Sequence, residues 1–421
     1  MPTGISRDAT SIDGPVNPPS LRKFALFWLK IGCISFGGPA AHIGLMHREI
    51  VERLGWMDEK RFSHALGFCM LLPGPEAQQL ATYIGWRMYG AAGGVISGAL
   101  FVLPAAILLW LLSLLYVLGG NIPAVAGFFD GLQPVVVALI MMASIRMGRR
   151  SLRRAAPIIA ALVSFGLLTI WHVPYPVVLL GSVAAGLLLP GRFGIEKSDI
   201  PTGIETGGRT YRAGWMALAL WVIPLGLLCI FEQGLFAKLA TFFSTTSLLT
   251  FGGAYAILPY VAQASVANGW LGAPEMLDGL GLAESTPGPL IIVLQFVGFL
   301  AAYHQPGELS PLVAATLGAI VATWMTFVPS FVWIFFGAPH VERMLRNFRL
   351  SSGLAAVSAS VAGIVASLAV WFAMHVFFDS AAGIQWFSIT IFLGSLAAHR
   401  LGVVPLILIG GLAGVLRQIV T

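Results

Sequence analysis

The chain has 421 residues, of which only 10% are charged, whereas about 25% is usual in a soluble globular protein. Apolar residues make up 57% and the mean hydropathy is +0.86, more hydrocarbon than one water-surrounded core could bury. This excludes a soluble globular protein and predicts a chain surrounded by lipid. The net charge is +6, but the basic residues are dispersed among loops, so we interpret them as orientation signals and exclude nucleic acid as a partner.

The chain is also rich in residues that interrupt helices. Its 49 glycines and 25 prolines make up about 18% of the sequence, where average usage gives about 12%. Without a collagen period, this excess predicts broken membrane helices. The three cysteines, Cys33, Cys69 and Cys229, lie in apolar stretches and have no metal-ligand or redox spacing. We therefore predict no disulfide framework, no metal site and no cofactor.

In chain order, residues 1–20 are predicted to form a disordered cytoplasmic tail, because they are polar, rich in proline and lack the apolar centre of a signal peptide. Residues 21–190 form a first repeat. A polar linker follows at 191–213, an extra connecting helix at 214–234 and a second repeat at 235–421.

Apolar runs approaching the roughly 20 residues needed to cross a bilayer predict an all-α polytopic membrane protein. Several runs are short or interrupted, which indicates broken or re-entrant helices. The thirteen candidate spans lie near 24–46, 62–86, 91–118, 124–145, 155–172, 174–190, 214–231, 235–259, 276–299, 310–336, 353–378, 384–399 and 403–417.

Two motifs recur in both halves of the chain. The sequence Phe-Gly-Gly at 36–38 returns at 251–253, and Pro-Gly-Pro at 73–75 returns at 287–289. The offsets between the copies are 215 and 214 residues. Between these motifs, Gly-Trp at 55–56 returns at 269–270, in the same order. Ordered matches at a nearly constant offset indicate an internal repeat.

Loop charges favour an inverted topology for the two repeats. The segment 146–154 carries five arginines and should be cytoplasmic, whereas its counterpart at 379–383 has no basic residue. Conversely, the loop 119–123 has none, whereas its counterpart carries Arg343, Arg346 and Arg349. If every candidate span crosses, the loop at 48–61 falls outside. Its Arg48, Arg53, Lys60 and Arg61 contradict that placement.

The repeated motifs predict helix starts inside the membrane. Pro73 removes a hydrogen-bond donor, Gly74 permits a turn, and Pro75 suits the first position of a new helix. Pro289 repeats this arrangement, and the Phe-Gly-Gly copies add two further restarts. Each start presents free N–H groups and about +0.5 charge, so four together would offer roughly +2 to a dianion. The alternatives are a simple kink for Pro-Gly-Pro and close helix packing for Gly-Gly.

Charged residues within the apolar runs are further candidates, since each is costly in lipid unless it has a role. Lys30 precedes the first Phe-Gly-Gly and could attract anions or reach the interface. Glu76 and Glu284 flank the two Pro-Gly-Pro turns and are candidate proton-responsive groups, although Glu76 could instead cap a helix. The predicted substrate-binding residues are Lys30, Phe36, Gly37, Gly38, Pro73, Gly74, Pro75, Glu76, Gln79, Phe251, Gly252, Gly253, Ser285, Thr286, Pro287, Gly288 and Pro289.

The segments GCISFGGPAAHIGLMHREIVERLGW and LLPGPEAQQLATYIGWRMYGAAGG, with their second copies TSLLTFGGAYAILPYV and ESTPGP, resemble the chromate ion transporter family in its long two-domain form. The resemblance covers nearly all of residues 20–417. It implies a multi-pass protein of the bacterial inner membrane that exports chromate, driven by the proton-motive force. The residue after Pro-Gly-Pro differs between the copies, Glu76 against Leu290, so the halves are not expected to be interchangeable.

Sulfate shares the charge and tetrahedral shape of chromate, so a site of backbone amides is expected to accept both anions. An anion channel, or an exchanger for another inorganic oxyanion, remains the alternative. An enzyme is not expected, because no HExxH motif, Ser/His/Asp grouping or thiol pair is present. The expected partners are chromate or sulfate and membrane lipid, and the sequence is compatible with a homodimer.

Overall fold

The computed structural model describes residues 19–120, 122–193, 208–231, 234–340, 348–379 and 383–420. The predictions for residues 1–18, for most of the linker and for Arg343 and Arg346 therefore lie outside the described residues. A short antiparallel pair joins β1 (Phe378–Asp379) to β2 (Gly383–Ile384). The α-helices are α1 Leu21–Ile34, α2 Gly38–His47, α3 Glu59–Cys69, α4 Glu76–Gly119, α5 Pro123–Ser151, α6 Ala155–Thr169, α7 Tyr175–Leu188, α8 Gly208–Phe231, α9 Leu235–Leu249, α10 Ala254–Ala267, α11 Ala273–Ser285, α12 Val293–His304, α13 Pro311–Gly337, α14 Phe348–Phe377, α15 Trp386–Ala397 and α16 Val403–Val420.

Six of the described helices, α4, α5, α8, α13, α14 and α16, are long and apolar enough to cross a membrane. This confirms the all-α polytopic prediction. The longest, α4, turns back on itself at Tyr89 and Gly90, whose backbone angles are not helical. After the turn the Ser97 hydroxyl donates to the Ala81 carbonyl (2.8 Å), so the two arms of α4 lie side by side. The predicted separation between the spans 62–86 and 91–118 falls at this turn.

The helices break where the repeated motifs predict. Gly37 and Gly38 separate α1 from α2 with φ of 95° and 79°, and Gly252 and Gly253 separate α9 from α10 with φ of 75° and 97°. Positive φ is readily adopted only by glycine, so each Phe-Gly-Gly ends one helix and allows the next to leave in a new direction. Pro75 is the N-cap of α4, and Pro289 precedes a 3₁₀ turn that leads into α12.

The helices beside these breaks are too short to cross the bilayer. At 1.5 Å per residue, α1 spans about 21 Å and α2 about 15 Å, against a hydrocarbon core of about 30 Å. The pairs α1–α2 and α9–α10 are re-entrant, and so are α3 with the first arm of α4 and α11 with α12. Equivalent aromatic contacts brace both halves. Trp56 lies against Phe27 (4.6 Å between ring centroids), and Trp270 lies against Phe242 (5.0 Å).

Re-entry overturns one orientation inferred from sequence. The loop at 48–61 was expected on the face opposite the arginines of 146–154. Instead His47 and Glu59, at the two ends of this loop, line one cavity together with Arg150 and Ser151. The loop is therefore on the same face, because both hairpins around it turn back before crossing. We call this side, marked by residues 48–61 and 146–154, the arginine-rich face. The basic residues of 48–61 and those of 146–154 therefore indicate the same orientation.

The two repeats interlock through exchanged hydrogen bonds. The Gly74 amide of the first Pro-Gly-Pro donates to the Thr250 carbonyl (2.8 Å), just before the second Phe-Gly-Gly. The Gly288 amide donates to the Ser35 carbonyl (2.7 Å), just before the first. Long helices of each half also pack against the other half. Helix α5 of the first half packs on α16 of the second, and α14 of the second packs on α6 and α7 of the first. This reciprocity is the arrangement expected of two inverted-topology repeats.

We expect Gly288→Ala to destabilise the protein. Gly288 has φ of 101°, and a Cβ added there would lie 2.4 Å from the Cβ of Ala105. Backbone strain of this kind costs about 1–3 kcal/mol, and overpacking adds a similar amount. Thermal unfolding of the detergent-solubilised protein would measure the loss. The matched control is Gly226→Ala, since no neighbouring atom within 4 Å opposes a Cβ at Gly226 in α8. Equal unfolding temperatures for the two variants would contradict the prediction.

Candidate functional site

A cavity of about 520 Å³ lies where the two halves meet on the arginine-rich face. Its wall is formed by one side of α2 and of α3, the start of α10, the first residue of α4, the last turns of α5 and Ser358 of α14. Since one water occupies roughly 30 Å³ in the liquid, the cavity can hold a small oxyanion together with part of its hydration shell. Both Phe-Gly-Gly motifs contribute to the lining through Gly37, Gly252 and Gly253.

Three helix starts face this cavity. Gly37 is the N-cap of α2, Gly253 is the N-cap of α10, and Glu76 is the first residue of α4. The amides of a first helical turn have no partner within the helix and carry partial positive charge. The fourth predicted start does not take part, because Leu290 is buried and does not line the cavity. The expected sum of about +2 is therefore reduced to about +1.5.

Glu76 brings a carboxylate from the first half to the glycine turn of the second. Its side-chain oxygens lie 3.9 and 4.0 Å from the position that a Cβ on Gly253 would occupy. Glu76 is 9% exposed and lines the cavity. No hydrogen-bond donor in the described part of the chain reaches its carboxylate. It is a nearly buried, unpartnered acid directed at the cavity.

Glu284 is connected to the same cavity through Tyr255. The carboxylate is 5% exposed and accepts a hydrogen bond from the Tyr255 hydroxyl. Tyr255 lines the cavity, and its hydroxyl lies 3.7 Å from the position of a Cβ on Gly38. The two carboxylates proposed from sequence thus approach the cavity from different motifs, Glu76 directly and Glu284 through a tyrosine that sequence reasoning missed.

Arg146 and Arg150 also line the cavity, as residues of the last turns of α5. Sequence reasoning treated them only as loop charges that set orientation. Arg146 is close enough to act electrostatically on both Tyr255 and Glu284. Their spacing of four residues was an available signal, because it places both side chains on one helix face directly after an apolar run.

The other predicted site residues do not line the cavity. Lys30 is exposed on α1, and Phe36 is 43% exposed. The Gln79 side-chain amide donates to the Pro73 carbonyl (2.7 Å) and so braces the first Pro-Gly-Pro turn. Outside the lining are Lys30, Phe36, Gly38, Pro73, Gly74, Pro75, Gln79, Phe251, Ser285, Thr286, Pro287, Gly288 and Pro289.

At the rim of the cavity, one histidine contacts two carboxylates. His47 Nε2 lies 2.5 Å from a Glu59 oxygen, and His47 Nδ1 lies 3.2 Å from Glu52. Within the described ranges, no group of three or more His, Cys, Asp or Glu side chains could hold a metal ion. Arg146, Arg150 and the helix starts are the groups of the wall that suit an anion, and Glu59 and Glu76 line the same cavity.

Interlocked inverted repeats with re-entrant helix starts around one cavity are the architecture of a membrane transport protein. The family model described as "Chromate transporter" matches the chain twice, at residues 22–187 and 237–415. The chain belongs to this family. It is a multi-pass membrane protein, and its bacterial relatives agree with a place in the inner membrane.

Curated relatives align over most of the chain. The "Chromate transport protein" of Pseudomonas aeruginosa is 32% identical, over 97% of this chain and 94% of that protein. The "Chromate transport protein" of Cupriavidus metallidurans is 28% identical, over 83% and 80%. The "Probable chromate transport protein" of Synechococcus elongatus is also 28% identical, over 83% and 84%. No solved structure matches the chain.

Proposed function

We propose that the protein transports chromate as the dianion, from the cytoplasm outward, with the cavity as its binding site. Family membership and the names of three relatives support chromate as the cargo. The observation that carries the proposal is the meeting of two glycine turns, Arg146 and Arg150 in one cavity. We assign residues 21–190 and 235–421 to the two repeats, joined by the linker 191–213 and the connecting helix 214–234.

The cavity opens toward the cytoplasm in this proposal. Lys and Arg are enriched in cytoplasmic loops of membrane proteins, and the arginine-rich face carries both basic segments, 48–61 and 146–154. Chromate would therefore enter the cavity from the cytoplasm, the compartment from which it is exported. The basic rim raises the local anion concentration and so favours loading.

Binding rests on charge-assisted hydrogen bonds. The Arg146 and Arg150 guanidinium groups present planar arrays of N–H donors, which match the oxygens of a tetrahedral oxyanion. The free amides at the starts of α2 and α10 supply neutral donors, whereas the Tyr255 hydroxyl donates to Glu284. Ionised Glu76 repels a bound dianion, whereas protonated Glu76 can donate a hydrogen bond to it. The protonation state of Glu76 therefore controls affinity.

The membrane potential is sufficient to drive export. One charge that crosses 100 mV changes its free energy by about 2.3 kcal/mol, so a dianion leaving a negative interior gains about 4.6 kcal/mol. That corresponds to a concentration ratio of about 10³. A proton gradient could add to this force but is not required for export.

Chromate uptake into everted membrane vesicles tests the proposal. With an imposed potential that makes the vesicle interior positive, we expect vesicles containing the protein to accumulate chromate. At 100 mV the ratio of chromate concentration inside the vesicles to that outside can reach about 10³. Collapse of the potential with an ionophore should lower this ratio toward unity. Excess sulfate should compete, because it has the same charge and shape.

Vesicles from cells that lack the protein provide the background for this assay. Preloading with unlabelled chromate should accelerate uptake of labelled chromate if the protein is a carrier, whereas a channel shows no such counterflow. Accumulation that ignores the potential would contradict potential-driven export. Uptake of sulfate without chromate would assign a different oxyanion as the cargo.

A further inference from the structure

A third buried carboxylate, Asp278, lies away from the cavity and joins three helices. It sits on α11 and is 4% exposed. One of its oxygens accepts a hydrogen bond from the Tyr116 hydroxyl on the second arm of α4 (3.0 Å), and the other accepts from the Gln133 side-chain amide on α5 (3.0 Å). Gln133 and Arg146 are separated along α5 by 13 residues, or about 20 Å. Asp278 therefore lies toward the face opposite the arginine-rich face.

Comparison of the two repeats shows that this opposite side is closed. The segment Leu66-Gly67 of α3 corresponds to Leu280-Gly281 of α11, so the two helices are repeat equivalents. On α3, Ser63 is exposed and Leu66 is half-buried, and both line the open cavity. The equivalent positions on α11 are Leu277 and Leu280, and each is at most 1% exposed. The two halves thus have equivalent helices in different states, open on one face and sealed on the other.

We propose that Asp278, with Tyr116 and Gln133, is the latch of the gate on this opposite face, and that a proton arriving from that face releases it. In the proposed orientation this face is periplasmic, so the inference rests on the proposed function for its direction alone. The latch holds α11 against α4 and α5. When it releases, α11 can move away from α4 and α5 and open this face.

Hydrogen-bond chemistry makes the latch sensitive to protonation. An ionised carboxylate accepts at both oxygens, which matches the two donors that face it. A proton on either oxygen replaces an acceptor with a donor, so one of the two bonds is lost or must reorganise. The latch is therefore complete only in the ionised state and weakens when Asp278 takes up a proton.

The ionisable groups facing Asp278 are Tyr116 from α4, Asp130 from α5 and Glu275 from its own helix. Glu275 lies three residues before Asp278, on the same side of α11. It pairs with His304 of α12 at 3.3 Å, and both side chains are partly exposed. Asp130 feels the charge of Arg417 on α16. In this proposal, protons from water reach Asp278 by way of the partly exposed Glu275–His304 pair.

Leu132 reports whether the gate is closed. A Cβ added at Gly281 would lie 2.5 Å from the Cδ2 atom of Leu132, so α5 and α11 are in close contact beside the latch. Leu132 is 1% exposed. A cysteine introduced there should react slowly with a membrane-impermeant thiol reagent added from the opposite face. Replacement of Cys33, Cys69 and Cys229 removes the native thiols.

In this Leu132→Cys background we expect Asp278→Asn to raise the labelling rate about tenfold or more, since the amide cannot accept at both positions. As the pH of the opposite face falls from about 8 to about 5.5, the rate of the parent relative to that of Asp278→Asn should rise. This ratio cancels the pH dependence of the thiol reaction. Tyr116→Phe should also label faster but keep its pH response.

The matched control is Tyr303→Phe, which removes a hydroxyl without a hydrogen-bond partner among the described residues and should leave labelling unchanged. Labelling after denaturation measures the total thiol and shows that each variant is present. The proposal would be overturned if Asp278→Asn labelled at the rate of its parent. It would also be overturned if the ratio of the parent's labelling rate to that of the variant did not change with pH. The measurement needs no chromate, so failure of the gate and failure of the proposed cargo are distinguishable.

Discussion

Arg146→Gln is expected to lower chromate transport at least tenfold. Hydrogen bonds to charged groups contribute about 1.5–3 kcal/mol each, which is a factor of roughly 10 to 150 in affinity. Arg146 lines the cavity and acts on both Tyr255 and Glu284, so its loss removes a cation at the point where the two halves meet. Initial rates in everted vesicles over a range of chromate concentrations should show a raised apparent KM.

The matched control is Arg149→Gln. Arg149 lies on the same helix and is exposed, but it does not line the cavity. The Arg149→Gln substitution removes the same charge from the same face as Arg146→Gln. A general loss of attraction for anions would therefore affect both variants equally. Equal transport by the two variants would remove Arg146 from the binding site and leave both arginines as orientation signals only.

The double substitution Glu76→Gln and Glu284→Gln is expected to abolish most of the pH dependence of transport. A unit charge about 5 Å from another contributes about 3 kcal/mol at an effective dielectric constant of 20. Protonation of a carboxylate beside a dianion should therefore change its affinity by tenfold or more. In the wild type, acidification of the cavity face should tighten chromate binding, whereas the neutral amides should bind tightly at every pH.

Chromate itself takes up a proton near neutral pH, so the informative quantity is the ratio of variant to wild-type transport at each pH. That ratio should be large at alkaline pH and approach unity as the pH falls. Glu308→Gln, an exposed substitution outside the cavity lining, is the control and should give a constant ratio. A constant ratio for the double variant as well would eliminate Glu76 and Glu284 as proton-responsive groups.

Helix α3 beside the cavity and helix α11 of the latch are repeat equivalents, and they differ in the residues that they carry. Asp278 on α11 takes the position that His64 has on α3, and Leu290 takes the position of Glu76. We therefore propose that the arginine-rich side binds the anion and that the opposite side stays shut until Asp278 is protonated. Single differences between two inverted repeats would then give transport its direction.

Much of the architecture could be predicted from the sequence, because the relevant signals are local. An apolar run of about 20 residues favours a lipid environment whatever the rest of the fold is. The glycines of Phe-Gly-Gly and Pro-Gly-Pro adopt positive φ in both copies, as residues without a Cβ readily do. The prolines set the starts of the following helices. The lipid-surrounded class, the repeat and the positions of the breaks follow from these properties. Glu76 and the two Phe-Gly-Gly motifs were predicted as site residues from the same signals, and Gly37, Glu76, Gly252 and Gly253 line the cavity.

Only the tertiary structure decided which helices cross and which turn back, since a break permits re-entry but does not require it. That decision moved the loop at 48–61 to the arginine-rich face. The composition of the cavity depended on contacts between residues more than a hundred positions apart, such as Glu76 against Gly253 and Arg146 near Tyr255. Local patterns do not encode such distances. Packing between the two halves determined that three helix starts, and not four, face the cavity.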